Sequence, residues 1–391
     1  MVDETFTSAW TKSWLYHPAF PEHWERRALY SLAQWVNGLA FRDIQFSPTG
    51  KPVIKIAEIK GGISGQTKFT EQVFDESVHV RTGDLLFSWS GQPETSIDVF
   101  WWRGSNGWLN QHSFRVTPIE GVDPVFFFYL LRYLKPCFVG IARNKQTTGL
   151  GHVTKRDLEN IEAAYPSLPE QRAIAHILGT LDDKIELNQR MNETLEAIAE
   201  AIYKSWFVDA TIDGIPKSWR VSTIGELCEF AYGKSLKEEL RRSGLIPVYG
   251  SNGQVGWHDE ALVKGPGIVI GRKGNPGIVT WVPTDFFSID TTFYVVPKGK
   301  CRSLYFLFYT LRTHNLAALG ADSAVPGLNR NMAYMSEQTL PPFNLLDAFD
   351  KQVRQLFERI QHNAEESRIL AALRDILLPK LLSGELRVET A

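Results

Sequence analysis

Between Glu170 and Phe207 the chain reads EQRAIAHILGTLDDKIELNQRMNETLEAIAEAIYKSWF, free of proline, with Ile174, Ile177, Leu178, Leu181, Ile185, Met191, Leu195, Ile198 and Ile202 recurring at three- and four-residue steps. That period lines apolar side chains along one face of a helix, so the spacing predicts one long amphipathic helix. The pattern returns from Ala348 to Leu382, carried by Val353, Leu356, Ile360, Leu370, Leu373 and Leu377. A shift of 175 residues superposes Leu356 on Leu181, Ile360 on Ile185, Asn363 on Asn188, Leu370 on Leu195 and Leu377 on Ile202. Two copies of one helix, that far apart, mark a duplicated chain.

The duplication reaches beyond the helices. Pro21-Glu-His-Trp24, Leu32 and Gly38 are matched 195 residues later by Pro216-Lys-Ser-Trp219, Leu227 and Gly233, and Pro52-Val53 falls on Pro247-Val248 at the same offset. The offset then shrinks to 179 for Phe114 and Pro118 against Phe293 and Pro297, to 180 for Tyr129, Leu131 and Arg132 against Tyr309, Leu311 and Arg312, and to 175 from Pro166 and Pro341 onward. The second copy is therefore about twenty residues shorter, mostly between the Pro-Val and Phe matches.

Each copy predicts the same order of elements. A short helix follows PxxW, as in WRVSTIGELCEF, and brief β-rich runs come next, separated by Gly, Pro, Asn and Ser clusters. These runs are Pro52 to Ile59, Asp84 to Trp89 and Ser113 to Thr117 in copy one, and Ile246 to Tyr249, Gly267 to Ile270 and Thr291 to Val296 in copy two. An apolar helix follows, FFFYLLRYL or YFLFYTLRT, and the long helix closes the copy. The expected fold class is α+β, with two tandem globules and two long helices in a pseudo-two-fold repeat. The expected segments are 1–165 and 211–340 for the globules and 166–210 and 341–391 for the helices, with Asp209 to Trp219 linking the copies.

One-sided apolar faces on both long helices call for mutual packing, and an antiparallel pair closes such a repeat best. The predicted seam is Leu181, Ile185, Asn188, Leu195 and Ile202 against Leu356, Ile360, Asn363, Leu370 and Leu377. A polar residue on the stripe costs stability but can fix register; alternatively Asn188 and Asn363 are solvated edge residues. Asp182, Asp183, Glu186, Glu193, Glu196 and Glu200 make another face of the first helix acidic, which suits water or a basic partner better than DNA.

With 391 residues, 43% hydrophobic and 22% charged, the chain has the content of a soluble globular protein of two or more domains. The opening MVDETFTSAWTKSWLYHPAF lacks a basic n-region and apolar core, and the longest apolar run, Val125 to Leu131, is too short to span a bilayer. A cytoplasmic protein without membrane contact is expected. Cys137, Cys228 and Cys301 are odd in number and form no CxxC pair, so they read as reduced core thiols. The net charge of −2 is not that of a protein gripping DNA alone through one basic face. Acid collects in 166–210, with 4 basic and 8 acidic residues, while 211–340 is mildly basic, with 14 and 11.

Catalytic signatures are missing. Gly233-Lys234-Ser235 resembles the end of a phosphate loop, but the required upstream glycine is Cys228. Leu340-Pro341-Pro342-Phe343 resembles the PPF of adenine methyltransferases without the polar residue that must precede the prolines. The nine histidines show no HxH or HExxH spacing, and there is no GxSxG elbow. A binding protein is favoured over a catalyst, with no metal or cofactor of its own. The competing readings are a self-contained DNA adenine methyltransferase or nuclease, and a coiled-coil scaffold whose globules bind other ligands.

Two stretches per copy combine glycine freedom with donors and aromatics. In copy two they are Tyr249-Gly-Ser251-Asn252-Gly-Gln-Val-Gly256 and Arg272-Lys273-Gly-Asn275-Pro-Gly277, and Asn329 and Arg330 come later, in VPGLNR. In copy one they are Lys60-Gly-Gly62 and Ser88-Trp89-Ser90-Gly91-Gln92, with Arg143, Asn144 and Lys145 further on. Glycine lets a backbone approach phosphate, Arg and Lys neutralise it, and Asn, Gln or Arg can read a base edge. Tight turns with solvated charges would read the same.

PxxW, VYGSNGxxG, GPGIVIGRKGNPG, SIDTTFYVVP, VPGLNR and LPEQRAIAHILGTLDDKIELNQRMNETLEAIAEAIYKSWF together resemble the specificity subunit of type I restriction-modification systems, over nearly the whole chain. Copy one departs from that pattern, with Thr148-Gly-Leu-Gly-His-Val-Thr154 in place of VPGLNR and no YGSNG. The resemblance implies that each globule is a target-recognition domain reading half of a split double-stranded DNA site. The long helices would form an antiparallel spacer that docks two methyltransferase subunits. S-adenosylmethionine would then sit on those partners, and ATP and magnesium on motor-nuclease subunits, with no catalysis by this chain. A helix of about 38 residues at ~1.5 Å each is on the order of 57 Å, enough to set two globules one to two DNA turns apart.

Overall fold

A computed structural model describes residues 21–146, 149–319 and 327–388. The stretch before Pro21, Thr148 and Val325-Pro326 of VPGLNR lie outside them. The chain divides into two compact units, one closing at Ile185 and resuming at Arg368, the other running from Glu186 to Ser367. Each long helix contributes to both units, the first dividing after Ile185 and the second after Ser367.

In the first unit an antiparallel four-stranded sheet runs in the order Ala33–Asn37, Ser113–Pro118, Leu85–Ser88, Asp98–Trp101. The helices Pro124–Tyr133 and Lys135–Asn144 belong to its core, where Trp35 meets Phe87 and Phe127 edge-on at 5.8 and 6.1 Å. Asp123 caps the first of these helices, accepting from the N–H groups of Val125 and Phe126. A second sheet holds Lys51–Ile54 parallel to Gly107–Leu109. The run expected as β from Pro52 to Ile59 is strand only as far as Ile54. From Ile56 to Gly61 it is helix, because Glu58 reaches back to the N–H of Lys55 and caps that turn.

The second unit repeats the framework at the offsets read from the sequence: Cys228–Tyr232, Thr292–Pro297, Gly267–Gly271, Val279–Val282. Ile246–Gly250 pairs with Gly253–His258 and, in parallel, with Phe287–Ser288. Ser303 caps the helix Leu304–Thr313. The short helix expected after PxxW is present as Ile224–Leu227, and two strands, Arg220–Thr223 and Cys228–Tyr232, flank it. Both strands find backbone partners, at Glu337–Leu340 and Thr292–Pro297, and those ladders outweigh local helix preference. Leu340-Pro341-Pro342-Phe343 ends the first of these partner strands and opens the second long helix at Phe343.

The first long helix spans Leu168–Tyr203, beginning two residues before Glu170, and runs into a π-helical turn, Lys204–Val208. That turn places Phe207, 3% exposed, against Phe306 and Phe349 at 5.0 and 4.9 Å in the second unit's core. The second long helix spans Phe343–Leu382. The two run antiparallel. In the first unit Arg374 donates to Asp182 at 2.5 Å. In the second, Asn188 Nδ2 donates to the carbonyl of Asn363, to Glu366 and to Ser367 at 3.4, 2.9 and 3.2 Å, and Asn192 donates to the carbonyl of Ile360. Asn188 and Asn363 are both fully buried. Leu181, Ile185, Leu195, Ile202, Leu356, Ile360, Leu370 and Leu377 are half-buried, with Ile202 and Leu356 packed on the second unit's core and Leu377 on the first's. Ile177, Ile198 and Leu373, expected on the buried stripe, face solvent, because a two-helix pair covers a narrower seam than the apolar face provides.

Among the described residues no single helix is long and apolar enough to cross a membrane, and no group of three or more His, Cys, Asp or Glu side chains is placed to hold a metal. Burial pushes the thiols of Cys137, Cys228 and Cys301 up to about 12, so they are neutral and unpaired in the two cores.

Candidate nucleic-acid interface

Two loops of the second unit converge with the segment 327–329. Ser251 and Asn252 form the tip of the hairpin between Ile246–Gly250 and Gly253–His258, where Gly253 takes a φ of +98°. The turn from Gly271 to Gly277 closes through a 2.8 Å bond between its terminal glycines, and a Cβ on Gly277 would lie 2.3 Å from the amide nitrogen of Ala317. Only glycine fits there. Asn275 Nδ2 donates to Asn252 Oδ1 at 2.5 Å, tying turn to hairpin, and Ser251 lies beside Gly271 and Gly274. Residues 327–329 reach the same turn: the carbonyl of Arg272 accepts from Leu328 N–H, and Lys273 bridges Gly327. Tyr249, in the first strand of the hairpin, is half-buried, its ring edge-on to Phe286, and burial raises its hydroxyl pKa.

Above these loops the guanidinium of Arg272 lies 5.0 Å from the ring centroid of Tyr232 and 5.8 Å from that of Phe293. The guanidinium of Arg330 lies 5.0 Å over the same Tyr232 ring and 5.7 Å over Tyr334. Their hydrogen-bond acceptors are the carbonyls of Asp290 and Phe230. Among the described residues neither has a carboxylate partner, and Tyr232 is 52% exposed. Two like charges on one exposed ring, with no counter-ion among the described residues, make a surface suited to an anionic, acceptor-rich ligand. Asn329 does different work: its side-chain oxygen caps the helix Arg330–Met335 by accepting from Asn331 and Met332 N–H.

The first unit arranges its candidates less densely. Trp89 and Ser90 sit where Ser90–Gly91 pairs with Gly151–His152. The indole of Trp89 donates to Asn37 Oδ1 at 2.9 Å and lies 5.9 to 6.0 Å from His112 and Phe114. Gln92 precedes the short helix Pro93–Ser96 and accepts from the Thr95 hydroxyl. Arg143 donates to Glu94, which lowers that carboxyl's pKa, and Lys145 donates to both oxygens of Asp157, the residue that closes the cap at Thr154. Lys60 and Asn144 are exposed. Arg143 and Lys145 thus have carboxylate partners, which Arg272 and Arg330 lack among the described residues.

The profile of the type I restriction-modification DNA specificity domain matches residues 21–197 and 216–341, most of the chain and both copies of the repeat. The chain belongs to that family. Relatives of this specificity-domain chain include the MjaIX specificity subunit of Methanocaldococcus jannaschii, 26% identical over 72% of this chain and 73% of the relative. The HindI specificity subunit of Haemophilus influenzae is 22% identical over 78% of this chain and 87% of its own length. In fold, the chain is similar to the crystal structure of a type I restriction-modification S subunit from M. genitalium, with a TM-score of 0.57 at 19% identity over 94% of this chain and 97% of that one.

Within this specificity-domain chain, backbone bonds match the two units position by position. Trp89 N–H donates to His112 and its carbonyl accepts from Val153; Arg272 N–H donates to Thr291 and its carbonyl accepts from Leu328. Trp89 therefore corresponds to Arg272, Asn37 to Tyr232, and Phe114 to Phe293, each pair sharing a strand end. Thr154 and Asn329 each cap the helix immediately after them, which pairs Lys155 with Arg330. Sequence reading overlooked Tyr232, Asn37 and Lys155. Their signal was present in the offsets, since Asn37 and Tyr232 immediately precede the matched glycines Gly38 and Gly233.

Proposed function

We propose that this chain is the DNA-recognition subunit of a type I restriction-modification complex, in which each unit reads one half of a bipartite double-stranded site. The supporting observation is the Arg272–Tyr232–Arg330 cluster: two guanidiniums with no carboxylate partner among the described residues, set on glycine-shaped loops in a family defined by its DNA specificity domain. Phosphate contacts would position the loops and base contacts would select the sequence. With a net charge of −2, most of the counter-charge for the duplex falls to partners.

In this reading the chain is non-catalytic and cytoplasmic. Two methyltransferase subunits dock on the long helices, bring S-adenosylmethionine and take the target adenine into their own pockets. Motor-nuclease subunits bring ATP and magnesium. The helix pair acts as a spacer between half-sites. The test is to co-express the chain with its methyltransferase partner and map methylated adenines genome-wide, alongside the purified chain incubated with S-adenosylmethionine and DNA. A split site marked only by the complex supports the reading. Methyl transfer by the chain alone, or no sequence-dependent mark, overturns it.

A further inference from the structure

The two units share a strand framework yet differ at one matched set of side chains, and the difference carries base chemistry. In the second unit the position at the strand end holds Arg272 over Tyr232. An arginine stacked on an aromatic face keeps its N–H fork available in a fixed direction, and that fork matches the paired O6 and N7 acceptors of guanine in the major groove. One Arg272 nitrogen, Nη1, donates to the carbonyl of Asp290 at 3.1 Å, which anchors the group. Arg330 on the same ring adds a second positive charge, and four residues beyond it stands Tyr334 rather than an acid.

In the first unit the matched position is Trp89, whose single donor is engaged by Asn37. The matched cation, Lys155, lies 4.9 Å over Tyr30 and is paired at 3.6 Å with Glu159, which occupies the place of Tyr334. That set is neutral and has no donor fork.

Building on the DNA-recognition reading, we propose that Arg272, positioned by Tyr232, reads a guanine in the half-site taken by the second unit, and that the first unit has no guanine reader at the matched place. Tyr232 is a positioning residue. Arg272 touches the base.

The experiment is methylation-site mapping with the assembled complex carrying Arg272→Lys, Arg272→Ala, Tyr232→Phe or Tyr232→Ala, with co-purification of the methyltransferase subunits checking assembly. The wild-type map is expected to contain an obligatory guanine in one half-site. Arg272→Lys, which keeps the charge but loses the fork, should relax that one position by roughly ten- to a hundredfold and leave the other half-site unchanged. Tyr232→Ala should relax the same position, and Tyr232→Phe should restore it. The proposal is overturned if Arg272→Lys keeps full guanine discrimination, or if both half-sites weaken equally, as for a residue that only holds phosphate. A wild-type complex that leaves no sequence-specific mark would instead overturn the recognition reading itself.

Discussion

Asn363 lies fully buried in the helix pair, with its Oδ1 lacking a partner and its Nδ2 donating to Asn192 at 2.8 Å. Replacing it with Leu, which has nearly the same branched shape, removes an orphaned acceptor that costs about 1–3 kcal/mol and forfeits one neutral hydrogen bond of about 1 kcal/mol. The backbone carbonyl of residue 363 still accepts from Asn188 and Ser367, and half-buried Asn192 can turn to water. Apolar contacts of the new methyls add roughly 1 kcal/mol. The net expectation is a gain of about 1–3 kcal/mol, or on the order of 5 °C in Tm for a unit of this size. Asn188→Ala has the opposite sign, because it removes donors to Glu366 and Ser367 and should lose about 1.5–3 kcal/mol. The assay is urea unfolding of the purified chain monitored by tryptophan fluorescence, comparing midpoints at constant slope. If Asn363→Leu lowers the midpoint by an amount worth about 1 kcal/mol or more at unchanged slope, the carboxamide stabilises the pair, and a polar position that trades stability for register is the wrong account of it.

Four further residues inserted after Asn188 would lengthen an ideal helix by about 6 Å and rotate its C-terminal half by roughly 40° beyond a full turn, so the mapped separation between half-sites should change; an unaltered separation would remove the spacer role. Leu195→Asp or Leu370→Asp places a charge in the half-buried seam and should lower stability by about 2–4 kcal/mol, measured by the same urea titration. The three buried thiols, raised from 9.0 to about 12, should resist a thiol reagent at pH 8 until the chain unfolds. Their folded values lie above the unfolded ones, so their contribution to stability is complete below pH 9 and declines as the pH climbs toward 12. Rapid labelling of native protein would show that the cores open.

The repeat was legible because it is written in residues with strong backbone or core roles: the PxxW tryptophans, Gly38 and Gly233, and the apolar helices Pro124–Tyr133 and Leu304–Thr313 all appear at the predicted offsets. The short helix after PxxW was legible, but its flanking strands were not, because four to five residues of strand carry too little periodicity and their ladder partners lie roughly sixty to more than a hundred residues away. Asn188 could not be resolved between seam and edge because its acceptors, Glu366 and Ser367, become neighbours only through the antiparallel register. The candidate loops were legible as glycine, amide and cation clusters, but which cations are free was not. Lys145 and Lys155 look like Arg272 and Arg330 until Asp157 and Glu159 are seen beside them. Tyr232 drew no notice as one tyrosine among twelve; its place under two guanidiniums is a product of the sheet.

The central claim is that each unit reads half of one split DNA site for partners that methylate it. Sequencing methylated adenines in cells that express this chain with its methyltransferase subunit tests it most directly. The expected map is a single bipartite motif, two short specified blocks separated by a fixed unspecified spacer, that disappears when this chain is omitted. A contiguous motif, or the same motif without this chain, would contradict the account.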